Sequence, residues 1–560
     1  MILTQIRRNT RFLLLLASLL TASAGHADDM ARARQLLADG AGRLAMQALE
    51  AMPDPADVQE RIDKYRLLWQ ALSMSGTPQE ILDAAGGLPP DSDLRLRRQV
   101  AVQAAQAALT LGRPVVARDY LRSLIWQLSP NAAGLPALRA MVVQSHLMPV
   151  PDDEAFSLWQ RFVQDYGHDA DLDLAVALAE LKAGRTAGLD SLRAALKPGD
   201  HLALLLDVCN DSLSADARQQ ALTALLQNPL QPDEMDVLRH ALASAHDTRM
   251  QTMWLEVALN QKQPPAGITA ADLWSGWHDL AQGFGNVSLL LFGSDNGWAD
   301  QAGKVATSDP LMSRAIWAHL AKSANDPVLR DLAASHLLDQ LHQAGLDRTA
   351  LAVFDAQWPA RKPDDFPAEV RWRLGLAAFA AGRFELADAM WRNQPAASVP
   401  GNQVDWQWRR ALAASRSADW PVMADAVAAW LSSVQHPSAT DVWAVLFGLH
   451  RAAAAGVAAQ TLSPLLEGLM PLADGAAQAD ILRERAQLAS LDEAPAWYLD
   501  AAAHAVSPDA AWQDRLDAAR ALERAGNTPD ALRIYQAVVA GAALESQREQ
   551  ARFALQGLAE

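Results

Sequence analysis

Few side chains in this 560-residue chain stand in patterns that do chemistry. His336 and His342 are six residues apart, a spacing that does not place two imidazoles on one helical face for metal ligation. Neither His-Glu-x-x-His nor a pair of cysteines occurs, so no metal site is expected. The lone Cys209, in "LLLDVCND", has apolar neighbours that predict a buried, inert thiol. The stretch "GFGNVS" offers two glycines of a phosphate loop but no third, and no Gly-Lys-Ser/Thr follows, so it reads as a structural loop. No Gly-x-Ser-x-Gly nucleophile turn is present. The acidic pairs Asp152-Asp153 and Asp364-Asp365 follow prolines and fit helix capping. No catalytic residue and no cofactor is expected.

What remains is a recurring pair. Trp372-Arg373 in "EVRWRLGLAAF" and Trp408-Arg409 in "DWQWRRALAAS" stand 36 residues apart. Trp and Arg combine large contact area with directional donors and dominate binding hot spots. Phe379 and Arg416 follow one or two helical turns later. Trp372, Arg373, Phe379, Trp408, Arg409 and Arg416 therefore form a candidate partner-binding row, basic on an otherwise acidic chain. The competing reading packs Trp372 and Trp408 between repeats and leaves the arginines in solvent. Of the 18 tryptophans, 13 lie between Trp254 and Trp443, so an aromatic-rich groove there is a further expectation.

A pair that recurs at one interval needs a recurring element to position it. Gly42, Gly76, Gly112, Pro149 and Gly184 mark turns at spacings of 34, 36, 37 and 35 residues. Gly345, Gly382, Ala418, Gly456, Ala489 and Gly526 do so at 37, 36, 38, 33 and 37. A period of 33–38 residues fits a helix–turn–helix solenoid, in which each hairpin completes its core only against the next. Ala and Leu dominate and β-branched runs are scarce, which favours helix.

The stretch "LGLAAFAAGRFELADAMW" (374–391) resembles the tetratricopeptide repeat. Leu374-Gly375 matches its Leu-Gly pair, Gly382-Arg383-Phe384 its turn, and Ala387 with Trp391 its Ala-x-x-x-aromatic signature. That signature recurs as Ala350/Phe354, Ala494/Tyr498 and Ala531/Tyr535, and as Ala117/Leu121 with an aliphatic residue. The copies are degenerate: Arg371 stands where the motif has Trp, and Ala378 where it has Tyr. The resemblance implies an all-α, TPR-like α-solenoid whose first-helix positions, the Trp-Arg pairs among them, face a concave groove. The family's peptide-carboxylate clamp needs Asn where Leu376 and Leu412 stand, so that mode is not expected. Lytic transglycosylases also carry long helical superhelices, with a catalytic Glu-Ser in a lysozyme-like domain. The Glu-Ser here, Glu545-Ser546, has 14 residues after it, too few for such a domain.

The first residues read as an address. Arg7, Arg8 and Arg11 precede an apolar run, Phe12 to Leu20, too short to span a bilayer, and Ala22-Ser23-Ala24 and Gly25-His26-Ala27 offer cleavage sites. Residues 1–27 are thus expected to be a signal peptide without a lipoprotein cysteine, directing the chain to the periplasm of a Gram-negative bacterium. Their three arginines are unmatched by acids, so removal takes the net charge from −17 to −20, against nucleic acid as a partner. No further segment reaches transmembrane length. The expected organisation is a signal peptide (1–27), an N-terminal solenoid (28–260), an irregular Gly-rich junction or loop (261–306) and a C-terminal solenoid (307–560). The expected function is a non-catalytic scaffold for envelope proteins or peptides. The alternatives are a glycan binder, stacking Trp on peptidoglycan or exopolysaccharide, and an accessory module of a peptidoglycan-cleaving enzyme.

Overall fold

A computed structural model describes residues 29–129, 132–186, 188–245, 247–284, 295–358, 362–394 and 402–559. The signal-peptide segment, residues 1–27, lies outside them. Helix follows helix, and no strand occurs among the described residues. The fold is an all-α, tetratricopeptide-like solenoid of antiparallel hairpins. None of the described helices is long and apolar enough to cross a membrane.

Local sequence explains where the helices start. Asp309 and Asp326 accept from the backbone N–H of Met312 and Val328, each ahead of a proline at the first helical position. Thr77 with Glu80, and Ser438 with Asp441, form reciprocal capping boxes. Helix ends explain the period. Seven of the eleven marked turn positions, Gly112, Gly184, Gly345, Gly382, Ala418, Gly456 and Gly526, have positive φ. At Gly382 the next N–H, of Arg383, reaches back to the Ala378 carbonyl (2.8 Å), and Asp419 does the same to Ala414 (2.9 Å). This left-handed helix stop satisfies orphan carbonyls and reverses the chain. The other four marks end or start helices differently. Gly42 opens a helix, with Gly40 making the left-handed turn before it. Gly76 and Ala489 leave their helices in extended conformation, and Pro149 follows the Leu135–His146 helix in a loop.

The chain forms two compact units, residues 1–245 and 246–560. In the first, Trp69, Leu72 and Leu96 sit in one buried cluster and Ala117, Leu121 and Leu138 in another. The free Cys209 is buried there, and burial pushes its thiol up to about 12, so it is not a nucleophile at neutral pH. The second unit takes in residues 261–306. Instead of a single irregular junction, that stretch holds the helices Ala270–Phe284 and Asp295–Val305, which bury Trp274, Trp277 and Trp298 in the main core. Three large rings give these segments enough apolar area to fold onto their neighbours. The intervening glycines at 285 and 293 lie outside the described residues.

Three of the four small-then-aromatic pairs behave as the repeat demands. Ala387 and Trp391, Ala350 and Phe354, and Ala531 and Tyr535 are all buried, whereas in the fourth Ala494 is buried and Tyr498 only half-buried. The glycine of Leu374-Gly375 has a steric reason: a Cβ on it would stand 2.0 Å from Trp391 Nε1. Only a bare backbone lets this indole cross the first helix.

Candidate binding surface

The C-terminal unit separates the six candidate residues into two places. Trp372, on the Ala368–Ala380 helix, is 6 % exposed. Its ring lies 5.6 Å from Trp391 and 6.5 Å from Trp406, and its carbonyl accepts from Trp391 Nε1 (3.3 Å). Trp372 is therefore core, not groove: with Trp391 seated on Gly375, the space beside it is filled by Trp372. Arg373 turns to the preceding repeat, where Nε donates to Ser335 Oγ (2.9 Å) and Nη1 pairs with Asp339. It is a rung between repeats rather than a free cation.

The other four residues meet. Trp408, half-buried on the Gln403–Ser417 helix, stands 6.3 Å from Phe379. Arg409 lies 5.9 Å over the Phe379 ring while Nε donates to Asp405 (3.0 Å). Phe379 continues edge-on to Phe384 at 5.5 Å. Arg416 then lies between Phe384 (5.8 Å) and the half-exposed Phe447 (5.7 Å). The exposed Arg416 guanidinium has no carboxylate partner among the described residues, and with Gly382, Arg383, Phe384, Glu385 and Leu386 it lines an open pocket of about 350 Å3. Cation–π stacking holds the guanidinium in place without consuming its N–H donors.

Around this patch, the first helices of successive repeats are stitched by polar rungs. Arg451 donates to the Ser415 carbonyl (3.0 Å), Arg483 to Asp514 (2.6 Å) and Arg520 to Gln550 (2.7 Å). His450 pairs with Glu484 at 2.9 Å. Charge on this face is thus mostly spent on holding repeats in register, and Arg416 departs from that pattern. Phe384 and Phe447, which give Arg416 its setting, escaped the sequence reading. Phe384 is the third residue of the turn Gly382-Arg383-Phe384; Phe447 carries no repeat signature.

Two further expectations meet their geometry. Glu545 forms ion pairs with Arg552 and Arg548, which hold its carboxyl below the ordinary range and ionised, the wrong state for a general acid. Nine of the 13 tryptophans between Trp254 and Trp443 are buried, so their faces are unavailable to stack on sugar rings.

No protein-family model matches the chain, and no curated protein is similar to it. Among solved structures, the chain is similar to the Cut9–Hcn1 hetero-tetramer of the APC/C at 13 % identity, over 88 % of this chain and 95 % of that one, with a TM-score of 0.28. Yeast Tom70 matches at 12 % identity over 96 % of both chains, with a TM-score of 0.22. Maize PPR10, a pentatricopeptide repeat protein, matches at 11 % identity over 94 % of this chain and 86 % of that one, with a TM-score of 0.27. The fold assignment rests on the helices and turns themselves.

Proposed function

We propose that this chain is a non-catalytic, exported scaffold that binds proteins or peptides of the bacterial cell envelope on the first-helix face of its C-terminal unit. The observation that carries the binding surface is Arg416: exposed, stacked between two phenyl rings, and unpaired with any carboxylate among the described residues of a chain of net charge −17. Such a group recognises a carboxylate flanked by apolar atoms, with Arg409 and Trp408 extending the contact along the same face. Export rests on the basic and apolar opening residues alone. The glycan alternative loses its main support, because the tryptophans that motivated it are largely core.

Envelope extract passed over the immobilised protein identifies the partner, and titration measures its affinity. Arg416→Ala should weaken binding about tenfold while leaving the melting temperature unchanged. Equal affinity in Arg416→Ala and wild type sinks the surface assignment. Sedimentation of the wild type with purified peptidoglycan, unaffected by the substitution, favours the glycan reading. N-terminal sequencing should find the mature chain starting near Gly25 or Asp28; retention of Met1 refutes cleavage.

A further inference from the structure

Away from the Arg416 surface, two imidazoles face each other. His278 is exposed on the Ala270–Phe284 helix, and His319 half-buried on the Pro310–Ser323 helix. Their Nδ1 atoms stand 3.3 Å apart, with ring centroids at 5.4 Å and planes inclined by 29°. Five other histidines are spent on carboxylates: His146, His168, His201, His342 and His450 each place a ring nitrogen on an Asp or Glu. Here two nitrogens of the same kind converge, and in neutral imidazoles at least one must present a lone pair to the other.

We propose that His278 and His319 form a two-histidine site for a divalent transition-metal ion, zinc above all. The distance carries the argument. A tetrahedral ion bonded at about 2.05 Å to two nitrogens holds them about 3.3 Å apart, whereas adjacent ligands of a square-planar ion stand about 2.9 Å apart. The observed 3.3 Å is the tetrahedral edge, reached with the two helices already packed. Imidazole pairs select zinc and its neighbours over magnesium or calcium, which need oxygen donors.

The surroundings favour a cation. Gln282 Nε2 contacts Nε2 of His278 (2.5 Å), the ring nitrogen that does not face His319, and the Ser323 hydroxyl lies 3.4 Å from His319 Nδ1. Asp295 begins the Asp295–Val305 helix, and its charge acts on His319. Water would complete the coordination, as in sites with fewer than four protein ligands.

The test uses the tag-free chain, stripped with chelator and titrated with zinc chloride at neutral pH by calorimetry. One ion per chain should bind with Kd below about 0.1 mM. His278→Ala and His319→Ala should each weaken binding at least roughly tenfold, and the double variant should do little more, since either loss leaves a single donor. His436→Ala serves as a control and should bind as wild type does. Cobalt in place of zinc should show visible absorption of tetrahedral intensity that disappears in His278→Ala. His278 is exposed, so its variant carries the test should His319→Ala lose helicity. Wild-type binding that needs millimolar zinc, or full affinity retained in His278→Ala, overturns the proposal.

Discussion

In the repeat of residues 368–391, Trp372 is buried against Trp391; in the next, residues 403–433, the equivalent Trp408 is half-exposed and Trp406 takes the core. The 36-residue offset holds elsewhere in the pair. Gly382 and Ala418 both adopt positive φ and close the same turn. The difference begins at the helix crossing. Gly375 accommodates Trp391, whereas Ala411 and Val427 stand at the corresponding positions, both buried. A smaller second-helix residue leaves no large indole to pack beside Trp408. Trp406 instead turns back edge-on to Trp372. Two residues on a helix are about 200° apart, so burying Trp406 turns Trp408 outward, toward Phe379. Equal offset places two side chains at one height along their helices; the size of what crosses beneath decides which is buried.

The largest effect expected from this contrast is in the tryptophans. Trp372→Ala and Trp391→Ala should each cost about 3–5 kcal/mol, as for truncation of a fully packed ring. Trp408→Ala should cost about 1–2 kcal/mol, since only part of its area leaves water. Urea unfolding gives the magnitudes, and hydrogen exchange over residues 368–433 shows whether the loss is confined to the neighbouring repeats, as nearest-neighbour coupling requires. Equal losses for Trp372→Ala and Trp408→Ala would break the comparison.

A smaller contrast separates the arginines. Arg373 and Asp339 are 22 % and 30 % exposed and join different repeats, whereas Arg409 and Asp405, 29 % and 47 % exposed, pair one turn apart on a single helix. A double-mutant cycle should give about 1 kcal/mol of coupling for the first pair and about 0.3–0.5 kcal/mol for the second. Removing Arg373 also frees Ser335 Oγ, a buried acceptor, which adds to the single-mutant loss. A coupling near zero between Arg373 and Asp339 would return Arg373 to the set of free cations.

These contrasts mark how far the sequence could be read. The fold was legible because turns are local: glycine tolerates positive φ, and its recurrence at one interval follows from the helix stop it makes. The Ala-x-x-x-aromatic pairs were legible because both members lie on one helix face. The binding surface was only half legible because burial is not local. Nothing near Trp372 reveals that Trp391 will cross at Gly375. One signal was present: in "DWQWRR", Trp406 and Trp408 cannot both face the core, and Arg410, where the previous repeat has Leu374, shows that the buried stripe has rotated. Phe447 could not be assigned to Arg416, since its place beside the guanidinium depends on how the next repeat stacks.

The smallest expected effect tests the turn shared by both repeats. Ala418 holds φ at 62°, the left-handed region, where an L side chain is strained by roughly 1–2 kcal/mol. Replacing it by glycine relieves that strain but enlarges the conformational freedom of the unfolded chain, which opposes by about 0.4–1 kcal/mol. Ala418→Gly should therefore stabilise by about 0.5–1 kcal/mol. Gly382, at φ 78°, has no atom within 4 Å of where a Cβ would stand, so Gly382→Ala meets backbone strain alone and should destabilise by a similar amount. Matched urea titrations should thus move in opposite directions by nearly the same step. If both variants move the same way, the two turns are not equivalent, and the 36-residue register linking the repeats fails at the element on which it was founded.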